Sequence, residues 1–254
     1  MTRADPTASH ISNSNTSVEL VSNELDVLAR LLPLQHFARH GAGLSAIELG
    51  CGNARLGREL RELGLVTRYT GLEVDERQHA KNLATPVAGM AFVQAGAQAI
   101  PCADQQFDLA LMLKSLHHIP LHAMGKALDE VARVLKPGGW LYVSEPVYAG
   151  ALNDIVKLFN DEGMVRAAAQ LALDEALDRH DSPWQALHEL RFDMPARYTS
   201  SADFEQRMLY PTFADHRISD ATLQAVRAAL APHLGPDGAR FTRPMHVRVL
   251  QRKH

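Results

Sequence analysis

Two groups of residues in this chain have the types and spacing to do chemistry. The first joins a bend to an acid. In Glu48-Leu49-Gly50-Cys51-Gly52-Asn53-Ala54 an apolar run breaks at two glycines, and a helical pattern starts at once. Glycines at such a bend remove side chains, so a ligand can approach bare backbone N–H groups. The next short apolar run ends in Glu73 and Asp75. An acid at the tip of a second strand can accept both hydroxyls of a ribose. Together these features predict an adenosine-containing cofactor lying across two neighbouring strands. The second group is Lys114, His117 and His118. An imidazole near its ordinary pKa can take a proton at neutral pH. The alternative is that one histidine only caps or packs.

These residues need elements to hold them at one edge, and the hydrophobic pattern supplies them. It predicts strands over 44–49, 68–74, 91–95, 107–113 and 140–146, with helices over 54–64, 76–84 and 122–135 between them. Such alternation implies parallel strands joined by crossover helices. In open sheets of this kind ligands sit outside the carboxyl ends of the strands. The tips to watch are then 48–53, 73–75, 96–98, 114–118 and 145–147. An amphipathic helix is expected from Val18 to Leu32, stopped by Pro33. Beyond Gly150 the chain reads helical to Asp181, with seven acidic and three basic residues. That stretch is either a solvated face or a lid whose acidic side meets a cationic ligand. Further helices are expected over 201–209 and 219–231, a sixth strand around Tyr210 to Ile218, and a closing strand through Phe241, Met245, Val247 and Leu250.

The run Glu-Leu-Gly-Cys-Gly-Asn-Ala resembles motif I of the class I S-adenosylmethionine (SAM) methyltransferases, D/E-x-G-x-G-x-G, with Ala54 in place of the last glycine. Four further segments follow in the family's order. They are Tyr69 to Asp75, Gln98-Ala-Ile-Pro101 with Phe107-Asp108, Leu116-His-His-Ile119, and Leu135-Lys-Pro-Gly-Gly-Trp140. The resemblance implies a Rossmann-like, doubly wound, mostly parallel seven-stranded sheet with a helical lid inserted after the fifth strand. Residues 1–17, with Thr, Ser, Asn and Ala and no apolar period, read as a disordered leader, and the resemblance implies a SAM-binding core over 18–150, a helical lid or substrate region over 151–200, and completion of the sheet by 201–254. It also implies roles. The backbone of Gly50, Cys51, Gly52 and Asn53 would lie against the amino acid part of SAM, with Glu48 near its ammonium. Glu73 would take the ribose hydroxyls, Val74 the adenine face, and Ala97 with Gln98 the adenine edge. The usual acid of that last segment is replaced by Gly96. Lys114 would sit by the methionine part. Some sugar O-methyltransferases of this type pair a histidine with an acid after the fifth strand, which here is Glu145.

The activity implied is in-line transfer of the sulfonium methyl to an N or O atom of a small-molecule acceptor, leaving S-adenosyl-L-homocysteine (SAH). Its main requirement is alignment of nucleophile and methyl carbon, which contributes up to about 7–11 kcal/mol in well-oriented cases. Two alternatives compete: a SAM-binding protein without transferase activity, and an NAD(P)-dependent oxidoreductase. Arg55 counts against the second, because a long cation fills the third small position of a dinucleotide turn.

Composition narrows the class. The 254 residues are long enough for a full core, and 46% hydrophobic with 22% charged residues is ordinary for a soluble globule. A net charge of −3 gives no reason to expect nucleic acid as the partner. No apolar run approaches the ~18 residues of a membrane span, and the N-terminus lacks a signal-peptide pattern, so a cytoplasmic protein is expected. Cys51 and Cys102 have no metal or redox spacing, and Cys51 fits the bend as a small packing residue. His118 and His122 stand four apart, but Pro120 between them argues against a helix presenting both to a metal. No metal is expected.

Overall fold

A computed structural model describes residues 18–35, 43–211 and 216–254. The leader expected over 1–17 lies outside them. Strands β1 (Leu44–Leu49), β2 (Val66–Leu72), β3 (Met90–Val93), β4 (Phe107–Leu113) and β5 (Leu135–Pro146) form the parallel part of one sheet. The long strands β6 (Trp184–Tyr198) and β8 (Gly238–Arg252) complete it antiparallel, and the two-residue β7 (Leu234–Gly235) pairs with the start of β8. The order is β3-β2-β1-β4-β5-β8-β6, so the last long strand inserts between its neighbours. Strand order reverses between β1 and β4, the place where open sheets of this kind bind ligands.

The helices are α1 (Glu24–Leu31), α2 (Arg55–Glu62), α3 (Glu76–Ala84), α4 (Met124–Val134), α5 (Ala151–Val156), α6 (Gly163–Asp178), α7 (Ser201–Phe204, continued by a π turn to Leu209) and α8 (Asp220–Leu230). On one face of the sheet, α1 and α2 pack with Leu109, Leu111, Tyr142, Phe192, Met245 and Val247. On the other, α4 and α6 pack with Ile47, Met112, Leu141, Val143 and Trp184. Side chains alternate across each strand, so one sheet carries both layers.

Three sequence expectations are corrected. The helix expected from Val18 begins only at Glu24, where Asn23 caps it by accepting the Leu25 N–H at 3.1 Å. Ahead of it the chain is extended and exchanges backbone bonds with Asp193, from the Val21 N–H and to the Glu19 carbonyl, both at 2.8 Å. The sixth strand is 184–198 and does not lie around Tyr210 to Ile218, whose described residues carry no strand. The helical region after β5 therefore ends at Asp178, well short of residue 200. Finally, residues 201–230 do not complete the sheet. The β5–β8 pairing stops at Pro146–Met245, whereas β6 and β8 stay paired out to Tyr198–Ala239. This ribbon overshoots the carboxyl edge and carries a third apolar cluster, in which Tyr198 and Phe241 pack with Leu152 and Ile155 of α5, Phe204 of α7 and Val226 of α8. The cap over the ligand edge is thus built from both ends of the second half of the chain.

Candidate active site

At the β1 tip the bend has the backbone its glycines predict. Gly50 and Gly52 have φ of +69° and +52°, and a Cβ on Gly50 would come within 2.9 Å of the Ser115 Cβ. At Gly52 a Cβ would meet nothing within 4 Å, so that side of the turn is open. Cys51 points inward: its sulfur packs beneath Gly71 and its N–H is given to the Leu72 carbonyl at 2.9 Å. Burial pushes its thiol far up, so it stays neutral. The Asn53 side chain accepts the Arg55 N–H at 3.2 Å, at the start of α2. No acid occupies the first turn of α2, whose N–H groups favour an anion nearby.

Glu73, at the β2 tip, is buried and fixed by two backbone donors. Its Oε2 accepts the Gly52 N–H at 2.8 Å and its Oε1 the Asp75 N–H at 2.9 Å. Each oxygen keeps a second lone-pair direction for a hydroxyl donor. Asp75 instead caps α3, accepting from Arg77 at 2.8 Å and Gln78 at 3.4 Å. Val74 is 65% exposed beside them, an apolar surface at the mouth. Across the edge, Ala97 is buried and the Gln98 amide folds over Gly96, where an added Cβ would sit 2.6 Å from its Oε1. The missing acid at 96 is what makes room for that amide.

Glu48 is enclosed, and the neutral Tyr69 hydroxyl donates to its Oε2 at 2.6 Å. Burial pushes this carboxyl up to about 7. The geometry depends on Gly57, since a Cβ there would stand 2.1 Å from the Tyr69 ring. A bare Cα lets α2 press on the ring that delivers its hydroxyl to Glu48. Lys114, held at φ +56°, turns to Glu24 of α1, Nζ to Oε2 3.9 Å. Burial lowers its pKa, with Glu24 opposing. Glu24 also accepts the Tyr142 hydroxyl at 2.8 Å.

On the α6 side of the edge, His117 is 4% exposed. Its Nδ1 bonds Glu145 Oε2 in a very short contact, and Glu145 Oε1 accepts the Leu116 N–H at 2.9 Å. The Nε2 faces Glu162 at 3.8 Å, just before α6. The His118 ring lies against it, centroids 4.0 Å apart, and burial lowers the His118 pKa, which keeps that ring neutral. Burial alone would raise Glu162, but Arg166 at 2.6 Å holds it low.

The ligating atoms of His117, His118 and Glu162 lie within 4.8 Å of one another, a cluster that the 118/122 spacing did not signal. Arg166 and Asn160 already engage both oxygens of Glu162, and a guanidinium beside the cluster opposes a cation. Sequence reasoning also missed Tyr69, Gly57, Glu24, Glu162 and Arg166. Of these, only Gly57 inside a helical pattern carried a local signal, of a close approach.

The residues fit SAM. Glu48 is a buried acid, Glu73 keeps two acceptor positions, and the turn is open at Gly52, a donor set compatible with an ammonium, a ribose and a close approach to backbone.

Comparison with known proteins agrees with the fold. Residues 47–143 match the family model described as a methyltransferase domain. Fatty-acid O-methyltransferase of Mycolicibacterium smegmatis is 34% identical over 110 residues, 41% of this chain and 37% of that one. 27-O-demethylrifamycin SV methyltransferase of Amycolatopsis mediterranei is 31% identical over 137 residues, 52% and 47% of the two. The chain thus spans less than half the length of these curated relatives. Among solved structures, a putative methyltransferase from Bacillus halodurans covers 89% of this chain and all of its own at TM-score 0.59 and 14% identity. The YcgJ protein of Bacillus subtilis covers 87% and 98% at the same score and 15% identity. Among the described residues no helix is long and apolar enough to cross a membrane. Residues 47–143 are thus similar to a methyltransferase domain, carried on a sheet of the same fold as these neighbours.

Proposed function

We propose that this chain transfers the methyl group of SAM to a hydroxyl oxygen of a small molecule, with His117 as the general base. The observation that carries the reading is the buried His117–Glu145 pair at the β4 and β5 tips. A carboxylate on Nδ1 fixes the ring and its tautomer, leaving Nε2 as the proton acceptor. Glu145 is itself held by the Leu116 N–H, so the imidazole has no freedom to turn away. Such a base is of use for a hydroxyl and unnecessary for an amine that is already deprotonated. Two relatives, by name, methylate oxygen.

In this reading Glu48 takes the ammonium of SAM, Glu73 the ribose hydroxyls, the Gly50–Asn53 turn the methionine backbone, and Val74, Ala97 and Gln98 the adenine. When bound, SAM supplies a methyl carbon with a neutral leaving group. The chain's own part is to align the acceptor, remove its proton at Nε2 and exclude water beneath the cap.

The test is incubation of the full chain with methyl-labelled SAM and a metabolite extract, alongside calorimetry with SAH. Label in an O-methyl product made by wild type and lost in His117→Ala, with SAH uptake equal in both, is the expected result. Absence of SAH uptake would remove the cofactor assignment. Uptake without any labelled product would reduce the protein to a SAM-binding module.

A further inference from the structure

The inward-facing row of β8 reads Ala239, Phe241, Arg243, Met245, Val247, Val249. Ala239 and Phe241 belong to the cap cluster, and Met245, Val247 and Val249 to the cluster under α1. Arg243 is the one charged residue in this row, and it stands at the seam between the two clusters. Its pairing partner is Met194, one step past the Pro146–Met245 pair where β5 leaves the ladder. The half-buried guanidinium is therefore carried just above the carboxyl edge, under the overshooting ribbon. An arginine in an apolar row is costly unless something desolvates with it.

The Arg243 side chain bonds Tyr198, and its charge acts on Lys114, whose ammonium it opposes. The acids of this edge are engaged by other partners: Glu24 by Tyr142 and Lys114, Glu48 by Tyr69, Glu145 by His117 and Leu116, Glu162 by Arg166, Glu73 by two N–H groups. Among the described residues no carboxylate lies within ion-pair distance of Arg243. Two cations thus share one side of the seam, on the opposite side of the sheet from His117. Arginine's planar fork suits a carboxylate, which it can grip through two parallel bonds.

We propose that Arg243, with Lys114 beside it, forms an anion subsite for the acceptor, so that the molecule methylated is a hydroxylated carboxylic acid. Its carboxylate lies at Arg243 and its hydroxyl at His117, so the molecule lies across the carboxyl edge from one face of the sheet to the other. This inference rests on the transferase reading. The same chemistry could instead be the carboxylate of SAM, and the experiment separates the two sources.

Full-length protein saturated with SAH is titrated calorimetrically with 4-hydroxybenzoate and 12-hydroxydodecanoate, each against its primary amide. Wild type is expected to bind at least one acid tenfold or more tightly than its amide. Arg243→Gln should erase that preference with SAH affinity within about twofold of wild type, and Arg243→Lys should restore part of it. Arg243→Met, which suits the apolar row, serves as a second variant, and a cooperative melt near that of wild type qualifies each. Equal binding of acids and amides, or a preference that survives in Arg243→Gln and Arg243→Met, overturns the proposal. So does a tenfold loss of SAH affinity in well-folded variants, which would give the arginine to the cofactor. If wild type takes up no SAH, the transferase reading itself falls and the subsite with it. If SAH binds normally and only the acids fail, the subsite alone is wrong.

Discussion

On the cofactor side, Glu73 is held by two backbone N–H groups, 21 and 2 positions away in the chain. On the acceptor side, His117 is held by the Glu145 side chain, 28 positions on, and is faced by Glu162 from beyond a further loop and helix. Backbone donors do not depend on the side chain at their own positions so long as the turn keeps its shape and proline is avoided, so the first half is fixed by the turn. Side-chain partners can be exchanged one at a time, so the second half can be retuned without touching the fold. On the proposed reading, the bend and its acid would hold the donor, and the acceptor would be left to the cap.

The largest effect expected from this difference is at His117. Replacing it with alanine should lower turnover by about 10²–10⁴-fold, the usual worth of a positioned base, with SAM affinity unchanged. Glu145→Gln should fall between wild type and His117→Ala, since the amide still positions Nδ1 but brings no charge to the ring that accepts the proton. Stopped assays across pH with calorimetric SAH controls check both. Turnover untouched in His117→Ala would erase the distinction between the halves.

Next is Glu73→Ala, for which a rise of at least tenfold in the SAM dissociation constant is expected, with the cooperative melt retained. The variant removes two charge-assisted ribose bonds and also leaves the Gly52 and Asp75 N–H groups without their acceptor. An unaltered titration would take Glu73 out of the ribose role.

The same contrast explains what could be read from the sequence. The bend, Glu73 and the five parallel strands were legible because each is written in adjacent residues: glycines at positive φ, alternating apolar runs, an acid at a strand end. The sixth strand was not, because β6 (Trp184–Tyr198) is mostly exposed and mixes Gln185, His188, Glu189, Arg191 and Asp193 among its apolar residues. Its strand character comes from the ladder with β8, a partner more than forty residues away. Neither 184–198 nor the stretch from Tyr210 to Ile218 declares a partner in its own residues, so sequence alone placed the sixth strand in the wrong one. Likewise the stretch holding Glu162 and Arg166 read as either a solvated face or a lid, with neither residue singled out. Only the placement of α6 beside the β4 tip brings them to His117.

A third prediction concerns Glu48, the buried acid on the donor side. Its carboxyl is raised to about 7, so below that pH it is mostly protonated, and binding an ammonium requires it to lose the proton. SAM affinity should therefore rise with pH up to about 7, by nearly tenfold per unit well below it, and level off above. Calorimetry below pH 7 in buffers of different ionisation enthalpy should show close to one proton released on binding, and none in Glu48→Gln. A flat profile in wild type would mean that the ammonium is met elsewhere.

The smallest effect expected is at Gln98, where the donor side departs from its motif. Gly96 leaves the space that an acid would fill, and the Gln98 amide lies over it. If that amide reads the adenine edge, Gln98→Ala loses one neutral hydrogen bond, a net contribution of about 0.5–1.5 kcal/mol, or roughly a two- to twelvefold weaker SAM. Turnover at saturating SAM should not change, because nothing at the His117 end depends on it. Gly96→Asp is the complementary variant: its side chain would displace the amide, and the acid could accept from the exocyclic amine in its place. Affinity recovered in the Gly96→Asp, Gln98→Ala double variant would show that either residue can serve the same atom. A loss in turnover in Gln98→Ala would instead mean that the two halves communicate through the adenine.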